Sequence, residues 1–297
     1  MTNKDWEFVR INSEGWNIEK SSNTTTPVFK RYKNQLPQVY PSKQYPNDIF
    51  DQFMNLLNVK DANAKLLLKV YLILLIYYKI QKPILAPYGE QGSAKSTLHE
   101  YIKQVIDPSA AITLAFPRDV DQLIQKLDHN YIAYFYNISK IPEWISDQFC
   151  RAVTGSGFSK RKLYTDEDDI IFSFKRALGF NGINLAATKA DLLDRCLIIM
   201  LERIKEDKRQ PLENIVNIKG LNQELETIKP QLLGFIFDIL AKVLKTISTT
   251  GITKPKELPR MADFAIHGEI VARCLGYDKN IFLNAFNENI TAMSIKF

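Results

Sequence analysis

The stretch that most constrains the fold is residues 82–106, KPILAPYGEQGSAKSTLHEYIKQVI. It predicts a buried strand at 83–87, a glycine-containing loop at 89–95 and an amphipathic helix opening at Ser96. That order, strand then loop then helix, is the setting a phosphate-binding loop requires. Gly89, Lys95 and Ser96 fit the pattern G-x-x-x-x-G-K-[ST], while Ala94 stands where the second glycine belongs. Gly92 supplies a flexible residue two positions earlier. The segment Gly89, Glu90, Gln91, Gly92, Ser93, Ala94, Lys95, Ser96 and Thr97 is therefore expected to surround the oxygens of a nucleoside triphosphate with backbone N–H groups. Lys95 is expected on the β- and γ-phosphates, and the Ser96 hydroxyl on a magnesium ion, making ATP and Mg2+ the expected cofactors. The plain alternative is a polar turn before a surface helix with Lys95 merely solvated. The joint presence of strand, loop, Lys-Ser-Thr and helix weighs against it.

A chain of 297 residues with 45% hydrophobic content can bury one large α/β core with smaller appendages. A formal net charge of +6 is compatible with nucleic-acid contact without requiring it. Cys150, Cys196 and Cys274 lie far apart, which argues against a disulfide framework or structural zinc and for a reducing cytoplasm. The first twenty residues are polar, and the most apolar run, 66–78, is interrupted by Lys69 and too short to span a bilayer. It predicts a buried helix.

In chain order, residues 5–10 and 16–20 read as two strands around a turn at 12–15, with a third strand expected at 28–32. Trp6, Phe8, Trp16 and Phe29 could stack bases, but aromatics in short strands more often form a small core. Pro37, Pro41 and Pro46 mark an extended linker. Residues 47–57 read as a helix, and Asp61 is expected to cap a long helix through Lys79. A second strand is expected at 110–116, a helix at 118–127, and an apolar central strand at 131–136, YIAYFY. A helix at 144–154 is followed by a hairpin from 160 to 175 around the acidic turn 166–169. Strands at 178–182 and 196–201 complete an α/β pattern with a parallel, doubly wound sheet. From 208 onward the pattern is helical only, with helices at 222–227, 230–247, 261–275 and 279–289. An all-α lid after an α/β core is the AAA+ arrangement. The expected division is a β segment and linker at 1–46, an ATPase core at 47–207 and a helical lid at 208–297.

One irregularity stands out. The strand 131–136 should end in the carboxylate that helps hold magnesium, yet it runs into Tyr136-Asn137-Ile138-Ser139. Asp128 precedes the strand and Glu143 lies well past it.

GEQGSAKST, then NISKIPEWISDQFCRAVTGSGFSKRKLYTDEDD, FNGI, ATKADLLDR and LPRMADFA in that order resemble a family of prokaryotic ATP-binding proteins. These are often phage- or plasmid-associated and are related to AAA+ and helicase-like ATPases. The similarity covers nearly the whole chain, and the family motif tolerates Ala at position 94. Where the family strand reads hhhhDN, this chain has Phe135-Tyr136-Asn137, so Tyr136 replaces the expected metal-binding Asp.

The resemblance implies further roles. Asn181 falls where a sensor residue orients the attacking water, its rival reading being a turn asparagine before Gly182. Arg195 falls where an arginine finger faces a neighbouring subunit, its rival reading being an ion pair with Asp191 or Asp194. Arg260 falls where a lid arginine approaches the nucleotide, its rival being a surface arginine. Arg161, Lys162, Lys175 and Arg176 flank the hairpin and could meet DNA phosphates, although the acidic tip opposes this.

Two functions follow as expectations. One is an oligomeric AAA+/helicase-like ATPase acting on DNA in replication or mobile-element maintenance. The other is a nucleotide-binding switch or scaffold with little turnover, working through replication or mobile-element protein partners. No membrane partner is expected.

Overall fold

The computed structural model describes residues 5–20, 31–161, 169–172, 175–182, 189–215, 219–252 and 258–296. Strands β1 (Glu7–Asn12) and β2 (Gly15–Lys20) form an antiparallel hairpin. Helices α1 (Ile49–Leu56) and α2 (Ala62–Ile76) lead to β3 (Ile84–Tyr88) and α3 (Lys95–Ile106). Next come α4 (Val120–His129), β4 (Ile132–Phe135) and α5 (Glu143–Thr154), then a second hairpin of β5 (Phe158–Arg161) and β6 (Asp169–Phe172). Strand β7 (Ala177–Phe180), the short helix α6 (Ala190–Leu193) and β8 (Cys196–Met200) complete the sheet. Helices α7 (Leu221–Thr250), α8 (Ala262–Cys274) and α9 (Ile281–Lys296) follow.

The expected parallel sheet is present, in the order β4-β7-β3-β8. Every residue of β4 and β7 is buried, as the continuous apolar runs require of strands covered on both faces. The chain leaves β3, forms β4 two places away, and returns through β7 before crossing to β8. Ligand crevices in open α/β sheets form where strand order reverses in this way, outside the carboxyl ends of the strands.

Helix α2 is apolar all round, and it is buried accordingly from Leu66 to Leu75. Asp61 caps it, accepting the Ala64 N–H at 2.7 Å. Lys69 is tolerated there because its amine reaches Asp51 at 2.6 Å at the edge of the core. Helices α7, α8 and α9 all touch α2, and a single apolar cluster runs from Trp16 to Phe286. No helix among the described residues is long and apolar enough to cross a membrane.

The amino-terminal segment is bound to the carboxyl-terminal helices. Trp16 Nε1 and the Tyr45 hydroxyl both donate to the Asp238 carboxylate of α7, at 3.0 and 2.7 Å. The Ser42 N–H donates to the Pro230 carbonyl at 2.8 Å. A Cβ on Gly234 would lie 1.7 Å from the Ser42 carbonyl oxygen, so only glycine lets the proline-rich linker cross the helix there. Phe8 and Trp16 are buried, so these two belong to the core and not to a base-stacking platform. Trp6 is half exposed, with the Arg31 guanidinium 4.0 Å from its ring centre.

Two expected elements differ. The strand expected at 110–116 is reduced to a single bridge between Leu114 and Phe135. Its first half is occupied otherwise, with Ser109 bridging Gln35 and the Ala110 N–H donating to the Asn34 carbonyl at 2.7 Å. The helices expected at 222–227 and 230–247 are one helix, α7, with Pro230 inside it. Pro230 removes one helical hydrogen bond, but Leu225, Leu232, Leu233 and Ile236 form one continuous buried stripe across it. Of the third strand expected at 28–32, Arg31 and Tyr32 lie in irregular chain and 28–30 fall outside the described residues. The hairpin tip at 162–168 also falls outside them.

Helix α3 is seated on the sheet by two buried polar side chains. His99 stacks on Tyr134 of β4 with ring centres 4.1 Å apart, its Nε2 3.4 Å from the Leu85 carbonyl. Lys103, wholly buried, donates to the Ile132 carbonyl at 2.6 Å and meets Asp107 at 3.2 Å, while Asp107 accepts the Ile132 N–H. Burial pushes the His99 pKa down from 6.5 to about 3. The unfolded chain then binds a proton at His99 that the folded chain refuses, so the contribution to stability is lost as pH falls from 6.5 towards 3. In urea titrations across that window, the loss on acidification should be smaller for His99→Phe than for the parent.

Candidate nucleotide site

The loop between β3 and α3 has the backbone a phosphate cradle needs. Gly89 has φ +147°, and a Cβ there would lie 2.1 Å from the Leu201 carbonyl oxygen. Gly92 has φ +80°. Ala94 occupies the left-handed region at φ 63°, ψ 29°, immediately before the first turn of α3. The residue in the place of the second glycine thus adopts the conformation for which glycine is suited.

The Lys95 amine folds back into the loop, donating to the Gly89 carbonyl at 2.6 Å, the Glu90 carbonyl at 2.8 Å and Ser93 Oγ at 3.2 Å. Burial lowers its pKa. Ser96 and Thr97 sit beside it in the first turn of α3, where unpaired backbone N–H groups and the positive end of the helix favour an anion. The loop is also braced from outside. Asn58 Nδ2 donates to the Ser93 carbonyl at 3.2 Å and the Glu202 carbonyl at 2.6 Å, and the Ile204 N–H donates to the Gly92 carbonyl at 3.1 Å.

Register brings three strand ends to the same level. Tyr88 bridges Gly182, and Phe135 pairs with Phe180, so Asn181 stands between the end of β3 and Tyr136. Asn181 is 3% exposed and its Oδ1 accepts the Asn137 N–H at 2.8 Å, with Asn137 in the left-handed region at φ 53°. Its Nδ2 is buried without a partner. A buried donor with no acceptor is costly. Alternation along the strands places Tyr136 on the face of Tyr134, the face on which α3 packs through His99.

The two acids that flank Tyr136 in the sequence, Asp128 and Glu143, are engaged with other groups. Tyr136 is half exposed. Asp128 lies before β4, at the opposite end of the strand, where it accepts from the Tyr32 hydroxyl. Glu143 pairs with Lys189 at 2.7 Å. Among the described residues no group of three or more His, Cys, Asp or Glu side chains could hold a metal ion.

The two other arginines lie elsewhere. The Arg195 carbonyl accepts the Ile84 N–H at 2.7 Å, at the start of β3, so the length of that strand, about 16 Å, separates it from the loop. Its side chain is largely buried, with Nε 3.6 Å from Asp191. Arg260 pairs with the same Asp191 and lies 4.0 Å from Asp194. The structure therefore groups Lys95 with Asn181, and Arg195 with Arg260 at the opposite end of the sheet. Arg260, expected as a lid arginine, is thus held by the Asp191–Asp194 turn in this structure. Of the hairpin cations, Arg176 donates to the Leu127 carbonyl at 2.6 Å and Lys175 to the Lys79 carbonyl at 3.1 Å. Lys162 and the side chain of Arg161 fall outside the described residues.

Residues 50–285 match the family of actinomycete integrative conjugative element replication proteins. The chain belongs to that family. The match spans the loop, the sheet and most of the helical region, in agreement with the mobile-element resemblance of the motifs. No curated protein matches the chain. Among solved structures it is similar to the A form of the apo NrS-1 C-terminal region, with 15% identity and a TM-score of 0.46 over 71% of this chain and 49% of that one. The chain thus spans about half the length of that structure. A second apo structure of the NrS-1 C-terminal region gives 13% identity and a TM-score of 0.42 over 89% and 70% of the two chains. JCV helicase, bound to an acetamide compound, gives 14% identity and 0.40 over 84% and 66%.

Two features of this family member's loop were not legible in its sequence. Asn58 comes from the turn after α1, a segment with no motif, and Arg209 lies over Gly92 from beyond β8. The conformation of Ala94 also has an energetic consequence. A left-handed alanine costs about 1–2 kcal/mol, while glycine costs roughly 0.4–1 kcal/mol in chain entropy. Ala94→Gly should raise stability by roughly 0.5–1 kcal/mol, read as a higher urea midpoint at unchanged slope.

Proposed function

We propose that this replication protein binds ATP with Mg2+ at residues 89–97 and acts on DNA in the cytoplasm, as an oligomer, during replication or maintenance of a mobile element. The observation that carries the reading is the loop itself. Its glycines and Ala94 hold a phosphate-cradling backbone, and the Lys95 amine is held by three loop oxygens that phosphate oxygens would replace. Family membership supports the DNA-directed part.

Each group has a role in this reading. The loop amides and Lys95 bind the phosphates, and Ser96 is the protein ligand for the metal. Asn181, with its carbonyl side fixed by the Asn137 N–H, has its amide donor free to orient a water near the terminal phosphate. Bound Mg2+ supplies charge compensation for the β- and γ-phosphates. Arg195, remote from its own loop, would contribute only to a neighbouring subunit's site.

A second reading is favoured by one residue. Tyr136 supplies no counter-charge where an Asp is expected, so the chain would bind ATP with slow turnover and serve as a switch or scaffold for protein partners. The metal would then rest on Ser96, the phosphates and water.

One measurement tests the loop common to both readings, and a second separates them. Lys95→Ala should abolish ATP binding in calorimetry, and undiminished affinity would refute the loop assignment. Steady-state ATPase rates with and without single-stranded and duplex DNA should be low in the parent. Tyr136→Asp should raise the rate more than it tightens ATP binding, because a fixed metal acts chiefly on charge developing in the transition state. A brisk parental rate that collapses in Glu143→Gln and is unimproved in Tyr136→Asp would show that Glu143 supplies the carboxylate.

A further inference from the structure

The segment after β8, ERIKEDKR at 202–209, is laid across the phosphate loop. The Leu201 N–H donates to the Tyr88 carbonyl at 2.9 Å, and the Leu201 carbonyl occupies the space a Cβ on Gly89 would need. At the next residue Asn58 ties the Glu202 carbonyl to that of Ser93, and two residues further the Ile204 N–H donates to the Gly92 carbonyl. Main-chain contacts thus fix this segment on the loop before any charged side chain is considered. A single 3-10 turn, Glu206–Lys208, then brings the chain back, and Arg209 follows it.

The result is a guanidinium against the loop. A Cβ on Gly92 would lie 3.5 Å from Nη2 of Arg209. Gly92 presents no side chain, so none stands between the guanidinium and the loop. Its own anchor is slight. Glu206 Oε1 is 3.9 Å from Arg209 Nη2, and the same oxygen is 3.4 Å from Arg203 Nη2. The Arg209 side chain remains 47% exposed and the Glu206 side chain 77%. An exposed pair at that distance holds neither partner firmly. Arg209 therefore has most of its five donors available, on a segment whose backbone is registered to the cradle.

We propose that Arg209 is a phosphate-binding residue, supplied by the same chain, that closes over the triphosphate from the Gly92 side. This rests on the reading that residues 89–97 hold a nucleoside triphosphate. The chemistry fits the charge to be held. Lys95 presents a compact cation from within the loop, and a planar guanidinium from outside matches two phosphate oxygens at once. It also gives the bound polyphosphate a second cation from its own chain, which neither Arg195 nor Arg260 can do from the other end of the sheet.

The test is nucleotide affinity, measured with ATP on the full chain and with melting curves to show that each variant is folded. Arg209→Ala should weaken ATP binding by about 10-fold or more, the usual consequence of removing a hydrogen bond to a charged group. Arg209→Lys should recover part of the loss, since the charge returns without the fork. Arg203→Ala, which removes the other partner of Glu206, should stay within about twofold of the parent. If Arg209→Ala binds ATP within twofold of the parent while Lys95→Ala does not bind, the Arg209 assignment fails and the loop assignment stands. If Lys95→Ala binds as tightly as the parent, the loop assignment fails and the Arg209 assignment with it.

Discussion

Helix α3 is gripped at its far end by a lysine that has no access to water. Lys103 would be costly there unpaired, and the pairing it finds is with the first residue of β4 and with Asp107, which in turn holds the Ile132 N–H. The last turn of the helix is thereby locked to the beginning of β4, the outer strand of the sheet on that side. Closer to the loop, His99 lies flat on Tyr134 of the same strand. With two points fixed, the first turn of α3 has one position relative to the far end of β4. Lys95 and Ser96 therefore keep station with Asn181 and Tyr136, although these come from three separate stretches of chain. The space is tight: a Cβ on Gly179 would lie 2.6 Å from the Tyr134 ring.

On that foundation the loop is assembled from conformations that cost energy. Gly89 and Ala94 are held in backbone regions unfavourable to most residues, and the donor of Asn181 is buried unused. Such features persist where the surroundings over-determine them, and they cluster at ligand sites. The braces from Asn58 and Ile204 are the surroundings in question. The aromatic ring at position 136 breaks the set. The cradle, the lysine and the buried amide donor thus share their end of the sheet with a phenol at position 136 and not with a carboxylate.

How much of this was legible in the sequence follows from the range of the interactions. The loop, β3, α2, β4 and β7 were readable because periodicity and a cap such as Asp61 are local properties. The segment 110–116 has a strand-like composition, but Asn34 takes the hydrogen bond of its first residue, Ala110, and that partner lies far back along the chain. Pro230 suggested a break that the buried stripe of α7 overrides. The positions of Lys95 at the opening of α3 and of Asn181 at the end of β7 were readable from motif and strand pattern. Asn58 and Arg209 reach the loop through tertiary contacts alone. The position of Arg260 after a proline likewise does not reveal that Asp191 and Asp194 stand opposite it.

The crossing of the linker over Gly234 has a mechanical meaning. With a backbone carbonyl seated where a side chain would be, the hairpin β1–β2 is strapped to α7, and Trp16 and Tyr45 are moored to the same aspartate. Helix α7 in turn reaches α3, where Asn222 accepts from the Tyr101 hydroxyl at 2.9 Å. Whatever grips the hairpin thus holds one end of a chain of contacts whose other end is the helix carrying Lys95. Residues 5–20 are in this way mechanically continuous with the loop that opens α3.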